Sequence, residues 1–142
     1  MQTLSDHILD IAQNSIRAQA SRVEIKLQEN ITKDSLVITI RDNGCGMDEN
    51  TVAKVTDPFF TSRTVRKVGL GIPLFKQNAE ATGGTLKIKS KPGEGTTIEA
   101  SFGLLHWDRP PMGDIAGSIV ILVSANPEIN FIYRHTTEKG EY

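Results

Sequence analysis

Residues 22–41, RVEIKLQENITKDSLVITIR, contain two runs in which apolar and polar side chains alternate. Alternation with a period of two is typical of strands that bury one face and expose the other. The segment between the runs is polar and contains Asn30 and Asp34, residue types that favour turns. The stretch therefore predicts a β-hairpin with one buried face. The side chains expected on that face are Val23, Ile25, Leu27, Leu36, Ile38 and Ile40.

The segments on both sides of the hairpin show further regular patterns. Apolar residues at 3.6-residue spacing predict helices over 3–18 and 72–82. Residues 48–55 are predicted to form a short helix, because the acidic residues in its first turn suit the helix dipole. Alternation predicts strands over 85–90 and 96–102. This order predicts an α+β fold, a two-layer α/β sandwich in which a mixed, mostly antiparallel sheet carries helices on one face. The first helix is expected to bury the stripe Leu4, Ile8, Ile11, Ala12 and Ile16.

The C-terminal part has weaker patterns. We expect one domain over residues 1–103 and a C-terminal extension over 104–142, formed by a helix and a strand that pack on the same domain. Residues 114–124 are strongly apolar and fit a helix, with Ile115, Ile119, Leu122 and Val123 at helical spacing, although part of this run also fits a strand. Residues 129–135 predict a strand, and 138–140 predict a turn. The strand that should follow this turn is expected to be missing, as in a truncated chain.

Composition excludes several classes of protein. The chain has 16 basic and 17 acidic residues, so it lacks the basic excess of most nucleic-acid-binding proteins and of polybasic membrane anchors. A single cysteine excludes an internal disulfide and a multi-cysteine zinc site. No apolar run approaches the roughly 20 residues of a membrane span. We therefore expect a cytoplasmic protein that binds neither nucleic acid nor membrane.

The first candidate site lies on the helix predicted over 3–18. Asp10 and Asn14 are four residues apart and would be neighbours on one helical face, which His7 and Arg17 extend. A carboxamide oxygen suits Mg²⁺, which keeps several waters and takes other ligands from phosphate. A carboxylate one turn away can orient or deprotonate a water molecule. The same residues also fit an ordinary solvated helix face.

The second candidate site is the turn that follows the hairpin. Asp42 stands at the end of a predicted strand and precedes Gly44 and Gly46. A carboxylate there can accept a hydrogen bond from the exocyclic amine of adenine, and glycines permit a close approach of the backbone. Asp-Asn-Gly is also ordinary turn chemistry, so a simple turn is an equal alternative.

The third candidate site is the cationic stretch before the helix predicted over 72–82. Arg63, Arg66 and Lys67 precede Gly69-Leu70-Gly71, which opens that helix. A helix N-terminus offers unpaired N–H groups to an anion, and nearby cations add charge-assisted bonds to phosphate. We expect residues 61–68 to form a short mobile lid over a phosphate group. The alternative is a flexible loop with solvated charges.

The motifs together are more specific than any one of them. In order they are Asp10-x-x-x-Asn14, Asp42-x-Gly44-x-Gly46-Met47, Asp57-Pro58-Phe59-Phe60-Thr61-Ser62, Gly69-Leu70-Gly71 and Gly93-Glu94-Gly95-Thr96. This series resembles the ATPase superfamily shared by gyrase, heat-shock chaperones, histidine kinases and mismatch-repair ATPases, over residues 4–102. The short lid and the string DPFFTSRTVRKVGLG are typical of the histidine-kinase branch.

The resemblance implies an ATP·Mg²⁺ site. Asn14 is similar to the metal-binding Asn of this superfamily, and Asp10 to its general-base or water-positioning acid. Asp42 resembles the Asp that reads adenine, with Gly44 and Gly46 forming its turn. The other residues expected to contact the nucleotide are Arg17, Met47, Phe59, Thr61, Arg63, Lys67, Gly69, Leu70, Gly71 and Thr96.

Three features depart from the histidine-kinase pattern. Such kinases usually carry Glu where this chain has Asp10, which is shorter by one methylene. Ser15 stands where Ala is usual, a change expected to be harmless. No segment resembles the helical hairpin that carries the phosphoacceptor histidine, and we do not expect His7, His106 or His135 to accept phosphate.

These features leave two functional hypotheses from different classes. In the first, the domain is a protein kinase module that transfers the γ-phosphate of ATP to an acceptor on a separate protein. In the second, it is an ATP-gated interaction switch that hydrolyses ATP slowly or not at all and binds a regulatory partner. A degenerate scaffold that binds no nucleotide is disfavoured because each binding motif is present. The oligomeric state stays open.

Overall fold

The computed structural model describes residues 3–55, 71–103, 112–137 and 140–141. The helices and strands follow one another along these ranges in the predicted order. The helices are α1 (Leu4–Arg17), α2 (Glu49–Val55), α3 (Gly71–Ala81) and α4 (Ile115–Ala125). The strands are β1 (Arg22–Asn30), β2 (Ser35–Asp42), β3 (Leu86–Lys91), β4 (Gly95–Gly103), β5 (Asn130–Thr137) and β6 (Gly140–Glu141).

The described strands form one six-stranded sheet in the order β3-β4-β2-β1-β5-β6. Neighbouring strands are antiparallel except for β1 and β5, which run parallel. Helices α1, α3 and α4 contact β2, β4 and β5, respectively. The predicted α+β sandwich with a mixed, mostly antiparallel sheet is therefore confirmed.

The core lies between the sheet and the helices. All the hairpin side chains predicted to face inward are buried, and cross-strand pairs such as Ile25↔Ile40 and Leu27↔Ile38 set the register. A one-residue slip would turn this whole apolar face towards water, so the pattern specifies the pairing. The predicted stripe of α1 is also buried, except for Ile16, which packs only partly against the core.

A capping box fixes the start of α1. The Thr3 hydroxyl accepts a hydrogen bond from the Asp6 amide at 3.1 Å, and the Asp6 carboxylate accepts one from the Thr3 amide at 3.0 Å. These bonds satisfy two N–H groups that otherwise lack partners at a helix start. The capping box thereby fixes the residue at which α1 begins.

His7 does not lie on the polar face of α1, and that prediction is wrong. The side chain is 0 % exposed, and its ring stacks on Phe75 of α3 with centroids 4.9 Å apart. Nε2 of His7 accepts a hydrogen bond from the amide nitrogen of Asn78 at 2.7 Å. Position 7 lies beside Leu4 and Ile11 on the helix, so the α3 contact widens the buried stripe to include it. Burial lowers the pKa of His7, although Asp10 and Asp6 act in the opposite direction.

The C-terminal segment forms a helix and a strand on the same sheet. Of the two structures that fit residues 114–124, the helix α4 is the one observed, and its Ile115 and Leu122 are buried. Val123 was expected on the same face but is exposed, because it projects about 100° around the helix from Leu122. Gly140 and Glu141 pair with Thr137 and Thr136 of β5. None of the described helices combines the length and the apolar character needed to cross a membrane.

Candidate functional site

A cavity of about 450 Å³ opens between α1, the end of β2, the following turn and β4. Its volume falls in the range of small-molecule sites, roughly 300–1,000 Å³. Most of its wall is apolar, and polar groups lie at a few points. The lining residues are Ile11, Asn14, Ser15, Arg17, Ala18, Ile40, Asp42, Cys45, Gly46, Met47, Ile72, Thr96 and Ile98.

Asp42 lies in the cavity wall with both carboxylate oxygens hydrogen-bonded. Oδ2 accepts a 2.6 Å bond from the hydroxyl of Ser15, and Oδ1 accepts a 2.8 Å bond from the amide of Gly44. Each oxygen keeps lone-pair capacity for a ligand. The sequence analysis gave Ser15 no role. Ser15 lies on the buried side of α1, where a hydroxyl needs a hydrogen-bond partner. Its position in the apolar stripe was the one feature of the sequence that could have indicated a role.

The glycines around Asp42 allow other segments of the protein to pack closely against them, because they have no side chain. A side chain on Gly46 would collide with the carbonyl oxygen of Lys91, and one on Gly95 with that of Asp42. Gly44 faces Ala18 of α1 at a distance too short for a Cβ atom. Sequence analysis predicted that Gly44 and Gly46 permit the approach of a ligand, and Gly46 does line the cavity. In the structure, Gly44, Gly46 and Gly95 also allow α1, the turn after β2 and the β3–β4 turn to pack closely against one another.

Ser90, which sequence analysis missed, joins the two turns at the base of the cavity. Its hydroxyl oxygen accepts a 2.7 Å hydrogen bond from the amide of Met47 and lies 2.8 Å from the hydroxyl of Thr96. It also donates to the carbonyl of Gly95 at 3.1 Å. Ser90 is one of several polar residues along β3, so its sequence context does not distinguish it.

Asn14 lies in the cavity wall on α1. Its amide nitrogen is buried and has no hydrogen-bond partner among the described residues. Its carboxamide oxygen is 3.5 Å from a guanidinium nitrogen of Arg17, which also lines the cavity. A buried amide nitrogen rarely lacks a partner in folded proteins, so this group is available to bond a water molecule or a ligand in the cavity.

Asp10 lies one turn before Asn14 and outside the cavity lining. Its side chain is exposed. The α1 face therefore brings Asn14 and Arg17 to the cavity, whereas Asp10 is placed beyond its edge.

The other predicted contacts divide into two groups. Gly71 is the first residue of α3, as its motif predicts, and the next residue, Ile72, lines the cavity. The remaining predicted contacts lie outside the described residues. They are Phe59, Thr61, Arg63, Lys67, Gly69 and Leu70.

Comparison with protein families gives one match over most of the chain. Residues 2–106 match the family described as histidine kinase-, DNA gyrase B- and HSP90-like ATPases. The matched range includes each element that borders the cavity.

Two bacterial sensor kinases illustrate the similarity in sequence. The signal transduction histidine-protein kinase AtoS of Escherichia coli is 36% identical over 96 residues, which cover 67% of this chain and 16% of the kinase. The sensor protein kinase FleS of Pseudomonas aeruginosa is 38% identical over 94 residues, covering 66% of this chain and 23% of the kinase. The chain thus spans less than a quarter of either kinase.

Two solved structures share the fold at low sequence identity. The N-terminal domain of a DNA repair protein superposes with a TM-score of 0.65 and 16% identity, covering 100% of this chain and 51% of the other. The Aquifex aeolicus MutL ATPase domain, solved as a complex with ADP, superposes with a TM-score of 0.56 and 17% sequence identity. The match covers 99% of this chain and 62% of the MutL chain.

Proposed function

Because the chain belongs to the family of histidine kinase-, DNA gyrase B- and HSP90-like ATPases, we propose that it binds ATP and Mg²⁺ in the α1–β2 cavity. We further propose that it transfers the γ-phosphate to an acceptor on a separate protein. One observation carries this proposal: Asp42 and Asn14, 28 positions apart in sequence, line the same cavity. The Asp42 carboxylate can then accept a hydrogen bond from the amine of the base, while the Asn14 carboxamide binds the metal ion of the same nucleotide.

The apolar part of the cavity suits a purine. Ile40, Met47 and Ile98 provide walls for a flat ring, and Asp42 adds a hydrogen-bond acceptor beside them. The exocyclic amine of adenine donates to such a carboxylate. A bond between an amine and a charged acceptor contributes about 1.5–3 kcal/mol, enough to orient the ring.

The α1 side of the cavity suits the phosphates. Asn14 would hold Mg²⁺ through its carboxamide oxygen, and the ion would neutralise phosphate charge when bound. Arg17 adds a guanidinium at the same wall, and α3 begins at Gly71, so the N-terminus of a helix, which favours anions, lies next to Ile72 in the cavity wall. Phosphoryl transfer depends mostly on such positioning and charge neutralisation. We assign Asp10 to the orientation of a water molecule or of the acceptor hydroxyl or imidazole.

The two described histidines, His7 and His135, are poor candidates for the phosphoacceptor. His7 is fully buried between α1 and α3, so its ring nitrogens are not accessible to a phosphate. His135 lies on β5, where its Nε2 is 2.8 Å from a carboxylate oxygen of Glu29. Neither residue borders the cavity.

The test is a phosphotransfer assay with γ-labelled ATP and a lysate of the source cells. The proposal predicts that one or more lysate proteins acquire label with the parent protein and lose it with Asp42→Asn. Label that appears equally with parent and variant would contradict an activity of this site. Acid and base stability of the labelled bond then distinguishes phosphohistidine from phosphoserine or phosphothreonine.

One observation favours the interaction switch as a second candidate. Helix α4 has no charged residue, and its Val120 and Ile121 are 62% and 60% exposed. Exposed apolar patches on soluble domains often bind other proteins. The switch predicts ATP-dependent co-purification of a partner without transfer of label. Co-purification that is equal with and without ATP would contradict it.

A further inference from the structure

The outer face of the sheet, formed by the strand residues that alternate with the core residues, is basic. The side chains described on this face are exposed or half-buried, and none of them is buried. Since the whole chain has a formal net charge of −1, the fold concentrates positive charge here that the composition does not reveal. Over β1–β5 the charged residues of this face are the basic Arg22, Lys26, Arg41, Lys87, Lys89, Lys91 and Arg134 and the acidic Glu24 and Glu99.

Three of the basic residues lie on β3, the strand at one edge of the described sheet. Lys87, Lys89 and Lys91 are all exposed there. Lysines on an edge strand discourage pairing with another sheet, so protection of the edge is an ordinary explanation for them. These lysines extend the positive charge of the face but do not by themselves indicate a partner.

Lys26 and Arg134 do not have this explanation, because β1 and β5 each lie between two other strands of the sheet. The two residues pair directly across the parallel β1–β5 ladder. Like charges directly opposite each other on adjacent strands destabilise a sheet. On its other side Lys26 pairs with Thr39, so neither neighbouring strand places an acid opposite it. Two adjacent cations on an open face are therefore available to an anionic partner.

A shallow groove of about 280 Å³ crosses the middle of this face. Its lining comes from β1, β2 and β4, and Lys26 and Arg41 border it together with Glu24 and Glu99. Glu24 lies opposite Arg41, and Glu99 lies opposite Lys87 on the other neighbouring strand. The face thus has a mixed pattern of charges with a positive excess, and it is not uniformly basic.

A mixed pattern favours a protein partner over a nucleic acid or a lipid surface. Glu24 and Glu99 would face the phosphates of either alternative, and like charges placed together across an interface repel. The side chains described on this face include no aromatic ring, which is the usual platform for the bases of a single strand. The carboxylates of a protein can instead lie against individual basic residues, with a neutral or basic side chain against each acid.

We propose that the outer face of the sheet, centred on Lys26 and Arg134, binds an acidic segment of another protein. The segment lies across the groove, with carboxylates near these two residues and near the lysines of β3. The nucleotide cavity is lined by residues on the other face of the same strands, such as Ile40 and Ile98. Binding at the outer face is therefore independent of the nucleotide-binding function proposed above.

The experiment measures the fluorescence anisotropy of a fluorescein-labelled peptide in which glutamate alternates with serine, mixed with the full chain. In an extended peptide this alternation places every carboxylate on one side. A glutamine–serine repeat is the uncharged comparison. A duplex oligonucleotide and phosphatidylglycerol vesicles test the two other classes of anionic partner. No nucleotide is present, so a failure here is separate from a failure of ATP binding.

Three double variants, each of which removes two positive charges, are compared with the parent. The first is Lys26→Gln with Arg134→Gln, which should melt no lower than the parent because it removes the like-charge contact. The second, Lys89→Gln with Lys91→Gln, tests the β3 side of the face separately. The third is the matched control, Lys33→Gln with Lys76→Gln, in the β1–β2 turn and on α3. Thermal unfolding verifies that each variant is folded.

The proposal predicts that the parent binds the glutamate peptide at low salt, binds it more weakly as ionic strength rises, and does not bind the glutamine peptide. The first two variants should weaken binding roughly fivefold or more, and the control less than about twofold. Equal weakening in all three variants, or no binding by the parent at low salt, would overturn the proposal. Tighter binding of the oligonucleotide or the vesicles than of the peptide would also overturn it, in favour of that class of partner.

Discussion

Gly95 lies against the backbone of Asp42, so that any side chain on Gly95 would overlap the Asp42 carbonyl oxygen. Gly95 also has a φ of 115°, a conformation that other residues rarely adopt. The glycine at the start of β4 thus fixes the position of the carboxylate at the end of β2. Asp42 and Gly95, which are more than 50 positions apart in sequence, thus meet at one wall of the cavity.

Gly95→Ala should therefore destabilise the fold and displace Asp42. We expect a loss of about 3 kcal/mol or more in the free energy of unfolding, from the overlap and the positive φ together. Urea denaturation measures this loss. Gly93→Ala is the matched control: its φ of 80° is also positive, but no atom lies within 4 Å of the added carbon. Its cost should be about 1 kcal/mol, and equal losses for the two variants would contradict the close contact.

Asp42→Asn should weaken the binding of adenine nucleotides by about 1.5–3 kcal/mol, or roughly 10- to 100-fold. The carboxamide has one acceptor oxygen instead of two, and its NH₂ group would face either the Gly44 amide, which is a donor, or the Ser15 hydroxyl, which would have to turn and accept. Calorimetry with ATP measures the change. Asp34→Asn, which makes the same change of charge in the β1–β2 turn, should bind ATP as the parent does. Unchanged affinity in Asp42→Asn would refute the assignment of the adenine site.

Asn14→Ala should remove the part of the ATP affinity that depends on Mg²⁺. The carboxamide is the proposed metal ligand, so the variant should bind ATP with similar affinity in Mg²⁺ and in EDTA, whereas the parent should bind more tightly in Mg²⁺. The neighbouring exposed Gln13 provides a control, Gln13→Ala, in which the Mg²⁺ dependence should persist. A parent-like dependence in Asn14→Ala would count against the metal role.

His7 should make the fold sensitive to acid. Because burial lowers its pKa in the folded state, the unfolded chain binds a proton more readily as the pH falls below about 6.5. The free energy of unfolding should therefore decrease below that pH, by at most about 1.4 kcal/mol per pH unit from this residue, and level off below the lowered pKa. Urea denaturation from pH 7.5 to 5, compared with His7→Leu, isolates the effect. Parallel stability curves for the two proteins would show that His7 titrates normally.

The sequence predicted the architecture well because its decisive patterns are strong and local. In the hairpin, each side chain expected inward is buried, since alternation leaves only one register that covers the apolar face. The pattern of α4 was ambiguous, and the helix is observed although one residue expected in its buried stripe, Val123, is exposed. A segment that is apolar on all sides contains no periodicity from which to choose a face.

The site was predicted less completely, because its details depend on contacts between distant segments. Motif spacing predicted Asp42 and Asn14 as site residues, and the structure places both in the lining of one cavity. His7 was assigned to the polar face because its stacking on Phe75 comes from another helix. Ser15 and Ser90 were missed since a serine in a regular pattern gives no indication of which group it will bond.

The most direct test of the account is the melting temperature of the parent protein with and without ATP, in Mg²⁺ and in EDTA. A ligand at 100 times its dissociation constant stabilises the folded state by about 2.7 kcal/mol, which raises the melting temperature of a domain of this size by several degrees. The account predicts such an increase with ATP and Mg²⁺, a smaller one in EDTA, and at most about half the parent's increase for Asp42→Asn at the same ATP concentration. A melting temperature that ATP leaves unchanged under both conditions would contradict nucleotide binding in this cavity.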